Sequence, residues 1–187
     1  MDATKTSRNS WKEPLSQALR KSRKVAFVGV GQELRGDDAA GVLVVRRLME
    51  SARKNPSKSR TQSKVTESQW EEPLLFEAGP LPEAATGALR RFMPDWAVFI
   101  DSAEMGEPPG TIRWVDPDQA EGFSGSTHSF PISGLSKYLS SELGCRVAIL
   151  GIQPKNLEFD SPVSEEVDRA IEEIVGFVIT FTKPAPR

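Results

Sequence analysis

The sequence predicts an α/β protein: a three-layer α/β/α sandwich around a mostly parallel sheet. Three observations carry that reading. Strand-like and helix-like stretches alternate along most of the 187 residues, and such alternation builds parallel sheets with helices on both faces. Several strands are uninterrupted apolar runs: Val25-Ala26-Phe27-Val28-Gly29-Val30, Trp96-Ala97-Val98-Phe99-Ile100 and Val147-Ala148-Ile149-Leu150-Gly151-Ile152. Runs of this kind suit strands covered on both sides. The stretches between them place apolar residues three and four apart, which gives each helix one face for the sheet.

Two regions are expected: residues 1–23, an N-terminal segment with a short helix, and residues 24–183, a single α/β domain. Residues 1–9 are polar. Trp11, Leu15, Ala18 and Leu19 then recur at helical spacing. The first strand follows over 25–30, and Gly29, Gly31 and Gly36 punctuate a turn-forming stretch behind it. Val42, Val45, Arg46 and Met49 mark the turns of the next helix, with Leu43, Val44 and Leu48 widening its apolar face. Asp37 or Asp38 stands where its cap belongs. Residues 51–72 are rich in Ser, Lys, Arg, Gln and Thr and read as a solvated polar insertion.

Strand character returns over 73–79. Pro82 opens a helix through residue 91, since proline suits a first turn. The strand beginning at Trp96 is expected to end in Asp101. Pro108-Pro109-Gly110 forms a turn, and residues 111–115 alternate as a strand with one covered face. This strand and the one at Trp96 form a consecutive pair, which short turns join as antiparallel neighbours. A loop rich in Gly, Ser and Asp occupies 116–129. Leu135, Leu139 and Leu143 mark a helix over 132–143 that Gly144 ends. The strand over 146–152 and a last helix opened by Ser164 complete the order. Pro184 and Pro186 close the chain, and no internal repeat is found.

Composition narrows the function classes. The chain is 38% apolar and 27% charged with a formal net charge of −2, which fits a globular protein and gives no broad attraction for nucleic acid. No apolar run approaches the roughly 20 residues of a membrane span. Lys5, Arg8, Lys12 and Arg20 precede no apolar core of a secretory signal. Cys145 is the only cysteine, which excludes an internal disulfide and multi-cysteine metal sites. A cytoplasmic location is expected.

The chain has one histidine, His128, in Ser126-Thr127-His128-Ser129-Phe130-Pro131. Two acidic clusters lie upstream, Gly36-Asp37-Asp38 and Ile100-Asp101-Ser102, each behind a buried strand. Strand ends in α/β sheets are where ligands collect. A cap needs one aspartate and the first cluster has two, so the second is free to turn to the sheet rim. Asp38, Asp101 and His128 together would form a mixed nitrogen and oxygen ligand set with open positions, suited to nickel or zinc. Glu104 is a further acid nearby, read as a solvated loop residue.

Other chemistries stay open at this point. The glycine turn resembles a dinucleotide-binding fingerprint, but Leu34 falls where a third glycine is required, and Glu33 with the Asp pair would repel a pyrophosphate. A serine triad could use Ser126 or Ser129 with His128, although Gly122-Phe123-Ser124-Gly125 lacks the spacing of a nucleophile elbow. Cys145 could pair with His128, but its place at the entrance of a buried strand suits a small core residue.

With these motifs in view, the chain resembles the nickel–iron hydrogenase maturation endopeptidases over residues 24–178. Four segments carry the resemblance: Val28-Gly29-Val30-Gly31-Gln32-Glu33-Leu34-Arg35-Gly36-Asp37-Asp38, Phe99-Ile100-Asp101-Ser102-Ala103-Glu104-Met105-Gly106, Ser126-Thr127-His128-Ser129-Phe130-Pro131 and Leu150-Gly151-Ile152-Gln153-Pro154. The resemblance implies a five-stranded twisted sheet and a peptidase domain over 24–183. It implies removal of a C-terminal extension from the precursor of the hydrogenase large subunit, after nickel has been loaded. Nickel is then carried by the substrate and is the recognition signal, and zinc or cadmium could replace it in vitro. The family's two metal-contacting acids match Asp38 and Asp101, and its histidine matches His128. These three residues are thus expected both to contact the metal and to serve catalysis. A monomer without nucleic-acid or membrane partners is implied. The rival reading is a metal-sensing chaperone that binds the same partner without cutting it. The chain departs from the family pattern at Gln32, where Asn is usual, and at Ala39, where Gly is usual. The polar stretch over 51–72 is long for the family.

Overall fold

The computed structural model describes residues 11–54, 71–117, 124–125 and 132–182. Among these residues are six strands: β1 (Val25–Val30), β2 (Leu74–Gly79), β3 (Trp96–Glu104), β4 (Ile112–Val115), β5 (Ser124–Gly125) and β6 (Arg146–Ile152). Five helices accompany them: α1 (Lys12–Arg20), α2 (Ala40–Lys54), α3 (Thr86–Phe92), α4 (Ile132–Leu143) and α5 (Glu165–Thr182). The main sheet runs β2-β1-β3-β6-β4, and β5 pairs only with β3. β2, β1, β3 and β6 are parallel, and β4 runs antiparallel on the edge. The α/β class and the mostly parallel five-stranded sheet are therefore as expected.

Strand alternation sorts the apolar runs into two cores. Val25, Phe27, Val98, Ile100, Leu150 and Ile152 face one side, where Leu15, Leu19, Val44, Val45, Ile171 and Ile174 from α1, α2 and α5 meet them. Ala26, Val28, Val30, Ala97 and Phe99 face the other, against Leu89 of α3 and Leu135 and Leu139 of α4. A continuous apolar strand is thus one whose two faces each have a helical layer to fill. Trp11 of the N-terminal segment is 2% exposed and belongs to the first core.

Four local expectations are corrected. β3 does not stop at Asp101. Its pairing with β1 ends at Ile100, but β6 continues to pair Asp101 and Ser102, and β5 pairs Ala103 and Glu104. β4 is antiparallel as expected, yet its neighbour is β6 and not β3. The helical stretch at Pro82 is a 3-10 turn, Pro82–Ala85, before α3 begins. The polar stretch starts later than expected, because α2 continues to Lys54. Residues 55–70 lie outside the described residues.

Candidate functional site

β1, β2, β3 and β6 all end at one rim, and the residues after β1 build its floor. Gly31 has φ +137°, and a side chain there would put Cβ 1.8 Å from the carbonyl oxygen of Asp38. Gly41, near the start of α2, would put a Cβ 1.9 Å from the carbonyl of Ile100 and 2.4 Å from that of Val30. The glycines thus serve close backbone packing between α2 and the ends of β1 and β3. They leave no phosphate cradle: the Gly31 N–H donates to Gly79 O, and the Gln32 N–H donates to Asp38.

Between them, Gly36–Ala39 forms a 3-10 turn that carries both aspartates. Neither of them caps α2. Asp37 is fully buried and accepts from the backbone N–H groups of Lys155 (2.8 Å), Asn156 (2.9 Å) and Ser164 (2.6 Å) and from Ser164 Oγ (2.9 Å). Its own N–H donates to Asn156 O at 2.9 Å. Asp37 therefore fastens the segment after β6 and the start of α5 to the first motif. Four donors satisfy a buried carboxylate without a cation.

Asp38 is 2% exposed and has a smaller set of donors. Oδ2 accepts from the Gln32 N–H at 3.0 Å, and Oδ1 accepts from Ser102 Oγ at 3.0 Å. The departure at Gln32 leaves this bond unaffected, because the donor is backbone. Asp101, at 4% exposure, lies on β3 immediately before Ser102. Alternation assigns Asp101 to the Ala97–Phe99 face, over which α4 packs, and Ser102 to the opposite face, where Asp38 meets it. Asp38 and Asp101 are thus brought to one rim and linked through consecutive residues.

His128 lies outside the described residues, as do Ser126 and Ser129. Among the described residues no group of three His, Cys, Asp or Glu side chains is placed to hold a metal ion. The two acids present oxygen donors that fit a hard or borderline cation, and by themselves they are an incomplete set.

Three other residues find roles here. Gln153, 3% exposed, accepts from the Met105 N–H at 2.7 Å and donates to Glu104 Oε1 at 2.8 Å. It ties the protruding end of β3 to the end of β6. Glu104 is the last residue of β3 rather than a loop acid, and it is exposed. Cys145 stands before β6 at the opposite end of the sheet from Asp101, about 20 Å away along the strand. Burial pushes its thiol up to about 11, which disfavours the thiolate a cysteine nucleophile needs. Sequence reading missed Asp37 as a clamp and Ser102 as a partner of Asp38. The second acid in Gly-Asp-Asp, and a serine in an otherwise apolar strand, were the available signals.

Comparison with known proteins agrees with this fold. The family model for hydrogenase maturation protease matches residues 60–181. That span includes Asp101 and His128 and begins after Asp38. A Methanocaldococcus jannaschii protein provisionally named a hydrogenase maturation protease is 33% identical over 168 residues, covering 90% of this chain and 94% of that protein. The hydrogenase 3 maturation protease of Escherichia coli is 31% identical over 146 residues, with 78% and 82% covered. Among solved structures, a nickel–iron hydrogenase maturation protease from Thermococcus kodakarensis superposes with a TM-score of 0.74 at 26% identity, covering 91% of this chain and 99% of that one. By family model, sequence and fold, the chain belongs to the hydrogenase maturation protease family.

Proposed function

We propose that this protein is the endopeptidase that removes the C-terminal extension of a nickel–iron hydrogenase large-subunit precursor, and that it acts on the nickel-loaded form. The observation that carries this reading is the carboxylate of Asp38. It is buried at the sheet rim, its donors among the described residues are the neutral Gln32 N–H and Ser102 hydroxyl, and a second buried acid, Asp101, immediately precedes Ser102 on β3. A carboxylate offers about four lone-pair sites, so about two remain for an incoming cation. Burial of this carboxylate in low dielectric makes a cationic centre on the substrate a strong partner.

His128 completes the proposed set. The chain length on either side supports this. Gly125 pairs with Ala103, two residues past Asp101, and three residues of chain reach at most about 11 Å. Four residues later α4 begins, on the face to which Asp101 is assigned. In this reading Asp38, Asp101 and His128 contact the substrate's nickel, and the precursor supplies the remaining ligands. Polarisation of the scissile carbonyl, or activation of a water, then lowers the barrier to cleavage. The same reading takes residues 24–183 as the peptidase domain, acting as a cytoplasmic monomer.

Full-length protein incubated with nickel-loaded precursor tests this, with mass spectrometry of the precursor's C-terminus as readout. Asp38→Ala, Asp101→Ala and His128→Ala should each leave the precursor uncut. Normal processing by His128→Ala would remove the histidine from the mechanism. A precursor that is bound but keeps its full length with wild-type protein would favour the chaperone reading.

A further inference from the structure

We propose that Ser102 is a positioning residue for Asp38: its hydroxyl sets the orientation in which that carboxylate meets the metal-loaded substrate. This rests on the role of Asp38 given above. The Ser102 side chain follows Val98 and Ile100 on the same face of β3, and both of these are apolar core. It is 1% exposed. A buried hydroxyl costs free energy unless it is bonded, and this one donates to Asp38 Oδ1 at 3.0 Å. Pairing of β3 with β6 at Ser102 and Ile152 is made by backbone and does not use the hydroxyl.

One donor on each oxygen fixes the carboxylate plane. The two donors differ in origin. The Gln32 N–H comes from the glycine turn and is present whatever side chain occupies position 32. The Ser102 donor is a side chain, so one substitution deletes it. Without it, Oδ1 is free to rotate away from the rim, and the remaining acceptor sites no longer aim at one point. Partners of this kind, which hold a ligating group in place, typically contribute about 10–100-fold to metal affinity or activity.

Ser102→Ala deletes the donor with little change of volume. In that variant, cleavage of nickel-loaded precursor should show kcat reduced about 10–100-fold and KM raised. Calorimetric titration of the full-length protein with cadmium alone should show a weakening of similar size. Ser102→Thr keeps the hydroxyl and should recover most of the lost kcat. Should Ser102→Ala melt far below wild type, Ser102→Cys takes its place, since a thiol is only a weak donor. Wild-type kcat in Ser102→Ala beside an inactive Asp38→Ala overturns the positioning role and leaves the reading of Asp38 intact. Failure of Ser102→Thr to recover kcat also overturns it. Normal cleavage by Asp38→Ala overturns the underlying reading, and the role of Ser102 with it.

Discussion

Asp37 and Asp38 are consecutive, share one 3-10 turn and are both almost fully buried, yet their surroundings differ. Asp37 receives four donors, three of them backbone N–H groups from the segment between β6 and α5. Among the described residues Asp38 receives two, one from each side of the rim. The first carboxylate is saturated by the protein that surrounds it. The second keeps acceptor capacity at the place where strands end. A turn that rotates by roughly a third of a circle per residue thus separates a fastening from a site. Burial alone does not distinguish them; the count and origin of the donors does.

The contrast is broken most directly by exchanging the loss between the two positions. Asp38→Ala should reduce precursor cleavage by about three orders of magnitude, as expected when contact with a metal centre is lost. Its melting temperature should fall less than that of Asp37→Ala, because two donors rather than four are left unpaired. Asp37→Ala should do the reverse. It strands three backbone donors and a hydroxyl, at about 3–5 kcal/mol in total, which lowers Tm by roughly 6–20 °C for a chain of this size. Cleavage measured well below that Tm should persist. Equal stability losses in the two variants would show that the donor count does not separate their roles.

Gly31→Ala sharpens the comparison by disturbing the turn without touching either carboxylate. The added Cβ would lie 1.8 Å from the Asp38 carbonyl, and φ +137° is unfavourable for any other residue. Relief requires movement of the Asp38 backbone. A cost of about 1–3 kcal/mol is expected, together with a loss of cleavage out of proportion to it. A variant as stable and as active as wild type would mean that the turn relaxes without displacing Asp38.

Much of this architecture was readable from the residues, and the limits have physical causes. The apolar runs of β1, β3 and β6 gave the sheet because parallel strands covered on both faces need unbroken apolar residues. The rim position of Asp38 and Asp101 followed from where those runs stop. The extension of β3 past Asp101 did not, since it depends on β5, whose pairing with Ala103 and Glu104 joins residues about 20 apart. The clamp at Asp37 was hidden because its partners lie 118 to 127 residues away and are mostly backbone, which leaves no side-chain signature. Neighbourhood of β4 with β6 rather than β3 is a choice of topology that local pattern does not encode. Ser102 was legible only as an exception, a hydroxyl where its face called for an aliphatic side chain.

Glu33 extends the comparison to an acid of a third kind, and with the smallest effect. It lies on the same loop, five residues before Asp38, but its side chain is half exposed and its partner is a cation. Arg46 on α2 donates to both of its oxygens, at 2.6 and 2.9 Å, and also bonds Glu77 on β2. The hydrogen bond from Arg46 holds the Glu33 carboxyl below its ordinary value of 4.5. A carboxyl lowered in the folded state contributes its stability above the unfolded value and loses it as pH falls through the folded one. Arg46, whose pKa is raised, stays charged throughout. Wild type should therefore exceed Glu33→Gln in stability at about pH 7, and the gap should close as pH falls below about 4.5. Exposure and screening limit the gap to a few tenths of a kcal/mol, readable by urea unfolding at low salt. A gap that is the same at both ends of the range would mean that the ion pair contributes nothing. Arg46, the one charged partner of these three acids among the described residues, would then be the weakest holder of the loop, and neutral donors would be what fixes the rim.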